Sequence, residues 1–88
     1  MSKISKKVLL FLVEGFEEME ALAPIDLLRR AGITVDTVSI TSERTVLSSR
    51  KVTVLSDKII DDVNFNEYGM IVLPGVPGKK KKKKSALL

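Results

Sequence analysis

Three apolar segments of the chain predict buried strands. Residues 8–13 (VLLFLV) are short and continuously apolar, which is typical of a strand buried on both faces of a parallel sheet. Residues 33–40 (ITVDTVSI) alternate and are rich in β-branched side chains, so they predict a second strand. Residues 70–73 (MIVL) are again fully apolar and predict another strand, which ends at Pro74 and Gly75.

The segment between the first two strands predicts a helix over residues 16–31. Its apolar positions form one broad face: Met19, Leu22, Ala23, Ile25, Leu27 and Leu28. Acids in its first turn and two arginines in its last turn suit the helix dipole, and Gly32 stands where a glycine ends a helix. Pro24 leaves the carbonyl of Glu20 without its helical hydrogen bond, which predicts a kink or a loosened turn there.

The order of these elements predicts an α/β fold with a mainly parallel sheet. A strand, a helix and a second strand make a βαβ unit with a right-handed crossover. Residues 45–47 and 52–55 predict two shorter strands, joined as a hairpin by the polar residues 48–51, and residues 61–64 predict a short turn or a single helical turn. Because a doubly wound sheet needs helices on both faces and this chain offers one, we expect the N-terminal portion of a larger domain.

Composition narrows the chemistry that the chain can perform. Its 88 residues suffice for one small domain, and a hydrophobic content of 44% favours a packed core. There is no cysteine, which excludes disulfides and thiol chemistry within these residues. There is no histidine either, which removes the commonest general base and the commonest metal ligand. We expect no metal and no cofactor.

The net charge of +4 comes from one end of the chain. Six of the fifteen basic residues form the run 79–84, which leaves nine basic against eleven acidic residues in positions 1–78, a net charge of −2. We therefore divide the chain into a domain segment, 1–78, and a disordered lysine-rich tail, 79–88. An appended tail, a slip in a coding homopolymer that shifts the reading frame, and a natural basic extension all explain this run. Such a tail would bind polyanions weakly and without specificity.

No segment of the sequence predicts membrane insertion or export. Lysines in positions 3–7 precede an apolar run, but acidic residues follow it without a small-residue cleavage pattern. No stretch approaches the ~20 apolar residues that a membrane span needs. We expect a cytoplasmic protein.

Candidate chemistry lies where two strands end. Four carboxylates follow the first strand, those of Glu14, Glu17, Glu18 and Glu20, and a glycine-containing loop, residues 74–78, follows the last strand. Ligands of open parallel sheets bind outside the carboxyl ends of the strands, so the two segments should meet if the strands are neighbours. The first-turn acids are equally explained as helix-start charges. We assign Glu17 and Glu18 to that role and Glu14 to the turn, and we leave both explanations open for Glu20.

These residues form a motif that resembles the ThiJ/PfpI superfamily, in its DJ-one-like branch. The pattern G-x-E-E-x-E at residues 15–20 is followed by P-x-D-x-x-R-R-A-G at 24–32, and SSRKVTV and YGMIVLPG come later. The similarity runs from about residue 7 to residue 78. It implies a flavodoxin-like, class I glutamine amidotransferase-like sandwich, here incomplete, in a protein that forms homodimers.

The resemblance also implies roles for three residues. Glu20 matches a glutamate that hydrogen-bonds the reactive cysteine of the family, and it lowers the pKa of that thiol only if its own carboxyl is protonated and donates. Gly75 matches a glycine whose surroundings supply backbone amides to the site. Arg50 matches an arginine near the dimer contact and the mouth of the site.

The sequence departs from the family pattern in two places. The family reads L-P-G-G-x-P-G, whereas residues 73–78 read LPGVPG, so one glycine is missing and the donor loop is one residue shorter. The reactive cysteine and a histidine often found near it would both lie beyond residue 78, and the chain has neither.

The resemblance implies a parent protein that is a cysteine-dependent glyoxalase, a deglycase or a stress-protective protein acting on small carbonyl compounds. We expect the 88-residue chain itself to be a catalytically inert, truncated form, with Glu20 and Gly75 as its remaining site residues. The alternative is a non-enzymatic chaperone-like or dimerisation module that pairs through the first helix and the open edge of the sheet.

Overall fold

A computed structural model describes residues 6–75 of the chain. Along the chain it contains the following strands and helix: β1 (Lys7–Leu12), α1 (Glu18–Arg30), β2 (Val35–Ser39), β3 (Thr45–Leu47), β4 (Thr53–Leu55), β5 (Lys58–Ile59) and β6 (Tyr68–Val72). Two single turns of 3-10 helix, Ile60–Asp62 and Phe65–Glu67, lie between β5 and β6. No helix in this part of the chain is both long and apolar enough to span a membrane.

The main sheet is parallel, and β1 lies inside it. The strand order is β5-β2-β1-β6, and β1 pairs in parallel with both β2 and β6. β3 and β4 form a separate antiparallel pair. The predicted βαβ unit, the hairpin and the final strand are thus all confirmed. The two-residue strand β5, which pairs in parallel with β2, was not predicted, because a segment so short shows no periodicity.

Local chemistry explains where α1 begins and ends. Gly15 adopts a φ of 87°, a left-handed conformation that favours glycine, and this turn delays the helix until residue 18. At the other end Gly32 has a φ of 85°, as expected for the glycine that follows a helix. The helix continues through Pro24.

The core has two parts, one on each face of the sheet. The larger part packs α1 and the hairpin against one face of β1: Val8, Leu10, Leu12, Phe16, Ala21, Ile25, Val35 and Val46. The smaller part lies on the opposite face and consists of Leu9, Val38 and Tyr68, with partly buried neighbours from the segment after β5. Successive β1 side chains are therefore buried on alternate faces, as the continuous apolar run predicted.

The broad apolar face predicted for the helix is wrong in extent. Only Ala21 and Ile25 of α1 are buried, whereas Met19 and Leu27 are 72% and 66% exposed. A helix that packs on one face of a sheet buries a stripe of its surface, and these two side chains lie outside that stripe. Met19, Leu22 and Leu27 are exposed on the side of α1 away from the core, and we call these three residues the outer face of α1.

The last strand is less buried than its composition predicted. Met70 and Ile71 of β6 and Leu73, just after it, are all about half exposed, at 55%, 49% and 58%. β6 forms the edge of the described sheet, so one of its sides has no neighbouring strand among residues 6–75. An apolar sequence therefore identified the strand correctly but not its environment.

A polar network joins the amino ends of the strands, at the edge opposite to the loops that follow β1 and β6. The Asp36 carboxylate accepts a hydrogen bond from the Tyr68 hydroxyl at 2.7 Å and pairs with Lys7 at 3.1 Å and Lys58 at 3.9 Å. Lys7 also contacts Glu67 at 3.0 Å. Partial burial works to raise the pKa of Asp36, but the hydrogen bonds from Tyr68 and Lys7 outweigh it and lower that pKa.

Candidate functional site

The candidate site lies where β1 and β6 end. The two strands are parallel neighbours, with Leu10 opposite Val72, so both segments that follow them leave the same edge of the sheet. After β1 the chain turns at Gly15, Phe16 inserts its ring into the core, and Glu17 begins the helix. The predicted approach of the two segments is confirmed.

Gly75 joins these two segments through both of its backbone polar groups. Its N–H donates to Oε1 of Glu20 at 2.8 Å, across 55 positions of sequence. Its carbonyl accepts from the N–H of Glu17 at 3.1 Å. The end of β6 is thereby bonded to the first turn of α1 at two points, and the Glu20 carboxyl has a fixed place above the sheet edge.

The glycine at position 75 leaves room for the Glu20 carboxyl beside the backbone. A Cβ atom built on Gly75 would lie 2.6 Å from Oε1 of Glu20, closer than real Cβ contacts come. A larger residue would displace the carboxyl, which is the far end of a flexible side chain. The glycine therefore allows the carboxyl to approach the backbone closely enough to accept its hydrogen bond.

The two oxygens of Glu20 have different surroundings. Oε1 is occupied by the Gly75 amide, while Oε2 has no hydrogen-bond partner among residues 6–75. The same bond engages the Gly75 amide, and the loop after β6 continues with residues 76–78. Those residues, and with them the shortened loop, lie outside the described part of the chain.

The other three acids have separate functions. Glu17 caps the helix, as predicted: its side chain accepts from the N–H of Met19 at 3.0 Å. Glu14 makes a long contact of 3.4 Å with the N–H of Leu47 in the hairpin. Glu18 lies in the first turn of the helix, as predicted, but its carboxylate also binds the hairpin turn, which was not predicted.

Glu18 accepts hydrogen bonds from three consecutive residues of that turn. The donors are the Ser48 hydroxyl at 2.5 Å, the Ser49 hydroxyl at 3.2 Å and the Arg50 N–H at 2.8 Å. These bonds, that from Ser48 above all, lower the pKa of Glu18 to about 2, so its carboxylate is ionised at neutral pH. The two adjacent serines before Arg50 are visible in the sequence, but no sequence pattern indicates that they bind Glu18.

Arg50 is held by its backbone. Its N–H donates to Glu18, and the residue is exposed at the turn between β3 and β4. The structure therefore brings the Arg50 backbone to the start of α1, while the role that the resemblance implies for its guanidinium stays a prediction.

The fold places this chain among the α/β proteins with a parallel sheet, and Glu20 lies at the carboxyl ends of its strands. Comparison with known families identifies which family of α/β proteins it is. The sequence profile of the DJ-1/PfpI family matches residues 6–87, so the chain belongs to the DJ-1/PfpI family. The resemblance drawn from the motif is thereby confirmed. The domain boundary expected after residue 78 stays a prediction.

Characterised relatives support the same assignment. The chain is 37% identical over 71 residues to "Parkinson disease protein 7 homolog" of Danio rerio, a match that covers 80% of this chain and 38% of the relative. It is 34% identical over 73 residues to "Protein/nucleic acid deglycase 2" of Escherichia coli, covering 82% of this chain and 42% of the relative. The chain thus spans about two fifths of the length of these relatives.

Solved structures confirm the fold. DJ-1beta of Drosophila melanogaster superposes with a TM-score of 0.77 at 39% identity, covering 85% of this chain and 40% of the other. Oxidised DJ-1 of Toxoplasma gondii gives a TM-score of 0.76 at 40% identity, covering 82% and 39%. The chain therefore has the N-terminal portion of the flavodoxin-like α/β fold of these proteins.

The pairing of Gly75 with Glu20 predicts an energetic coupling between them. Gly75→Ala should displace the Glu20 carboxyl, and Glu20→Ala should remove it, so the double variant should lose little more stability than either single variant. A double-mutant cycle measured by urea unfolding should give a coupling of roughly 0.5 kcal/mol, at the low end for a hydrogen bond because the pair is exposed. Glu14→Ala is the control partner, and it should show no coupling to Gly75→Ala. Additive effects of Gly75→Ala and Glu20→Ala would contradict the pairing.

Proposed function

We propose that this chain carries one part of a cysteine-dependent DJ-1/PfpI site, in which Glu20 is the carboxyl that adjusts the reactive thiol and Gly75 holds that carboxyl in place. We further propose that the thiol belongs to a longer parent protein and that the 88-residue chain alone performs no thiol chemistry. The observation that carries the proposal is the hydrogen bond from the Gly75 N–H to Oε1 of Glu20. This bond orients the carboxyl at the carboxyl-terminal edge of the sheet and leaves Oε2 for another group.

The proposed chemistry follows from the two states of a carboxyl group. An ionised Glu20 would repel a thiolate and raise the pKa of the thiol, whereas a protonated Glu20 would donate a hydrogen bond to the thiolate and lower it. Because the Gly75 amide already occupies Oε1, the donated proton lies on Oε2. Glu20 would therefore act as a hydrogen-bond donor that stabilises the nucleophile.

The proposed substrate class is small carbonyl compounds and their adducts. The E. coli relative is named a protein/nucleic acid deglycase, and deglycation removes carbonyl-derived adducts. A thiolate suits such electrophilic carbon atoms, because thiolates are strong nucleophiles near neutral pH. The cytoplasmic location and the weak polyanion binding of residues 79–84 stay predictions, and the latter lies outside the described residues.

The role of Glu20 can be tested by placing residues 6–75 in the matching segment of Drosophila DJ-1beta. In that chimera Glu20→Ala should raise the pH midpoint of cysteine alkylation by about one unit or more, because the thiolate loses a donor. Glu14→Ala is the matched control and should leave the midpoint unchanged. A midpoint that Glu20→Ala does not move would refute the proposed role.

The inactivity of the chain itself is tested with methylglyoxal. The chain should form no product catalytically above the buffer background, since it contains no cysteine. Its fifteen lysine and arginine residues will consume some methylglyoxal stoichiometrically, so repeated turnover to a hydrated product is the quantity to measure. Turnover that disappears in Glu20→Ala, which has the same lysines and arginines, would overturn this part of the proposal.

A second candidate function is assembly without catalysis. The outer face of α1 exposes Met19, Leu22 and Leu27, and the β6 edge exposes Met70 and Ile71, which together are apolar surfaces of the kind that pair with another chain. We propose self-association through these surfaces as the alternative, in keeping with the homo-oligomer that the resemblance implies.

Self-association predicts a concentration-dependent mass. Sedimentation of the chain should show a dimer. Met19→Glu together with Leu27→Glu should raise the dissociation constant of that dimer by roughly tenfold or more, because each change places a charge in an apolar contact. Ser42→Glu together with Thr53→Glu, at exposed positions outside α1 and β6, is the control for added acid. A monomer at all concentrations would remove this alternative.

A further inference from the structure

The start of α1 is bonded on two sides. Toward the hairpin, the N–H of Gly15 donates to the Leu47 carbonyl at 2.8 Å, and the N–H of Ser49 donates to the Phe16 carbonyl at 2.9 Å. Toward β6, Glu17 and Glu20 hold Gly75. Residues 15–20 therefore form a junction that is hydrogen-bonded to the hairpin on one side and to Gly75, after β6, on the other.

The hairpin turn that meets this junction contains a strained residue. Lys51 has a φ of 69°, an unusual conformation for a residue with a side chain. The turn closes through the N–H of Lys51, which donates to the Ser48 carbonyl at 3.1 Å. Beyond it the N–H of Ser48 donates to the Val52 carbonyl at 2.9 Å, and the N–H of Val52 donates to the Ser48 hydroxyl oxygen at 2.9 Å. Such a conformation persists only where surrounding contacts hold it, and the Glu18 carboxylate supplies contacts to three of these turn residues.

We infer that Glu18 is a positioning residue for Glu20: its carboxylate locks the Ser48–Arg50 turn onto the first turn of α1 and so holds the helix start where Glu20 meets Gly75. This inference rests on the proposed function, since it gives Glu18 a role only in support of the Glu20 site. The hydrogen bond from the Arg50 N–H to Glu18 also holds the Arg50 backbone beside the start of the helix.

A carboxylate suits this role. The two oxygens of Glu18 accept hydrogen bonds from two hydroxyl groups and one backbone N–H, and every lone pair of an ionised carboxyl is an acceptor. A glutamine of the same shape is uncharged and has one accepting oxygen, so its NH₂ group would meet a serine hydroxyl that now donates and would have to reverse. Two neighbouring glutamates of one helical turn thus have different functions: Glu18 is ionised and structural, and Glu20 is left to interact with a reacting group.

Hydrogen exchange of single amides in the 88-residue chain tests the inference. Glu18→Gln should accelerate exchange of the Arg50 amide roughly tenfold or more, because that amide loses a charged acceptor. If Glu18 positions the junction, exchange of the Gly75 amide should also accelerate, by about threefold or more, although no atom of Glu18 bonds to Gly75. The β1 amides report global unfolding and should be unchanged. Glu14→Gln, which removes the same charge from a residue that touches the hairpin weakly, should leave both amides unchanged.

Acceleration at Arg50 without acceleration at Gly75 would overturn the inference, because Glu18 would then hold only its own turn. No acceleration at either amide would overturn it as well. If the β1 amides accelerate too, Ser49→Ala decides, because it removes one hydrogen bond and keeps the carboxylate: faster exchange at Gly75 alone supports the inference, and no change there refutes it.

A separate variant distinguishes failure of the inference from failure of the proposed function. Glu20→Ala should accelerate exchange at Gly75 and leave Arg50 unchanged. If the Gly75 amide is unaffected by Glu20→Ala, the pairing on which the proposed function depends is absent, whatever Glu18→Gln shows.

Discussion

The parallel pairing of β1 with a neighbour on each side is the constraint on which the rest of the structure depends. It buries Leu9 and Leu10 completely on opposite faces of the sheet, so each face acquires its own part of the core. It also places the ends of β1 and β6 at the same edge. The contact between Glu20 and Gly75 follows from that placement. These residues are 55 positions apart, and they meet because the strands that precede them, β1 and β6, are parallel neighbours.

The two edges of the sheet have different kinds of polar chemistry. At the amino ends of the strands, Asp36 is surrounded by Lys7, Lys58 and Tyr68, and its charge is satisfied by donors from three strands. At the carboxyl ends, Glu20 has one amide donor and one oxygen without a partner among the described residues. The first network stabilises the fold, whereas the exposed Glu20 carboxyl lies at the edge where open parallel sheets bind their ligands.

The acidic segment after β1 shows how environment separates residues of one type. Glu17 caps the helix, Glu18 binds three residues of the hairpin turn, and Glu20 binds the end of β6. All three side chains belong to the first turn of one helix or its cap, and their different directions around the helix axis bring them to different partners. The helix dipole is common to them, so the dipole alone does not explain any one of them.

The sequence by itself determined the element types, the parallel βαβ unit and the glycines at both ends of α1, because these follow from local periodicity and backbone preference. It predicted that two strand-end segments meet on the condition that their strands are neighbours, and the structure supplied that condition. Only the tertiary structure decided which neighbour each side chain meets. Glu18 binds Ser48, the outer face of α1 is exposed, and β6 is an edge strand, although its composition is that of a buried one. Such contacts join residues far apart in sequence, and no local pattern records them.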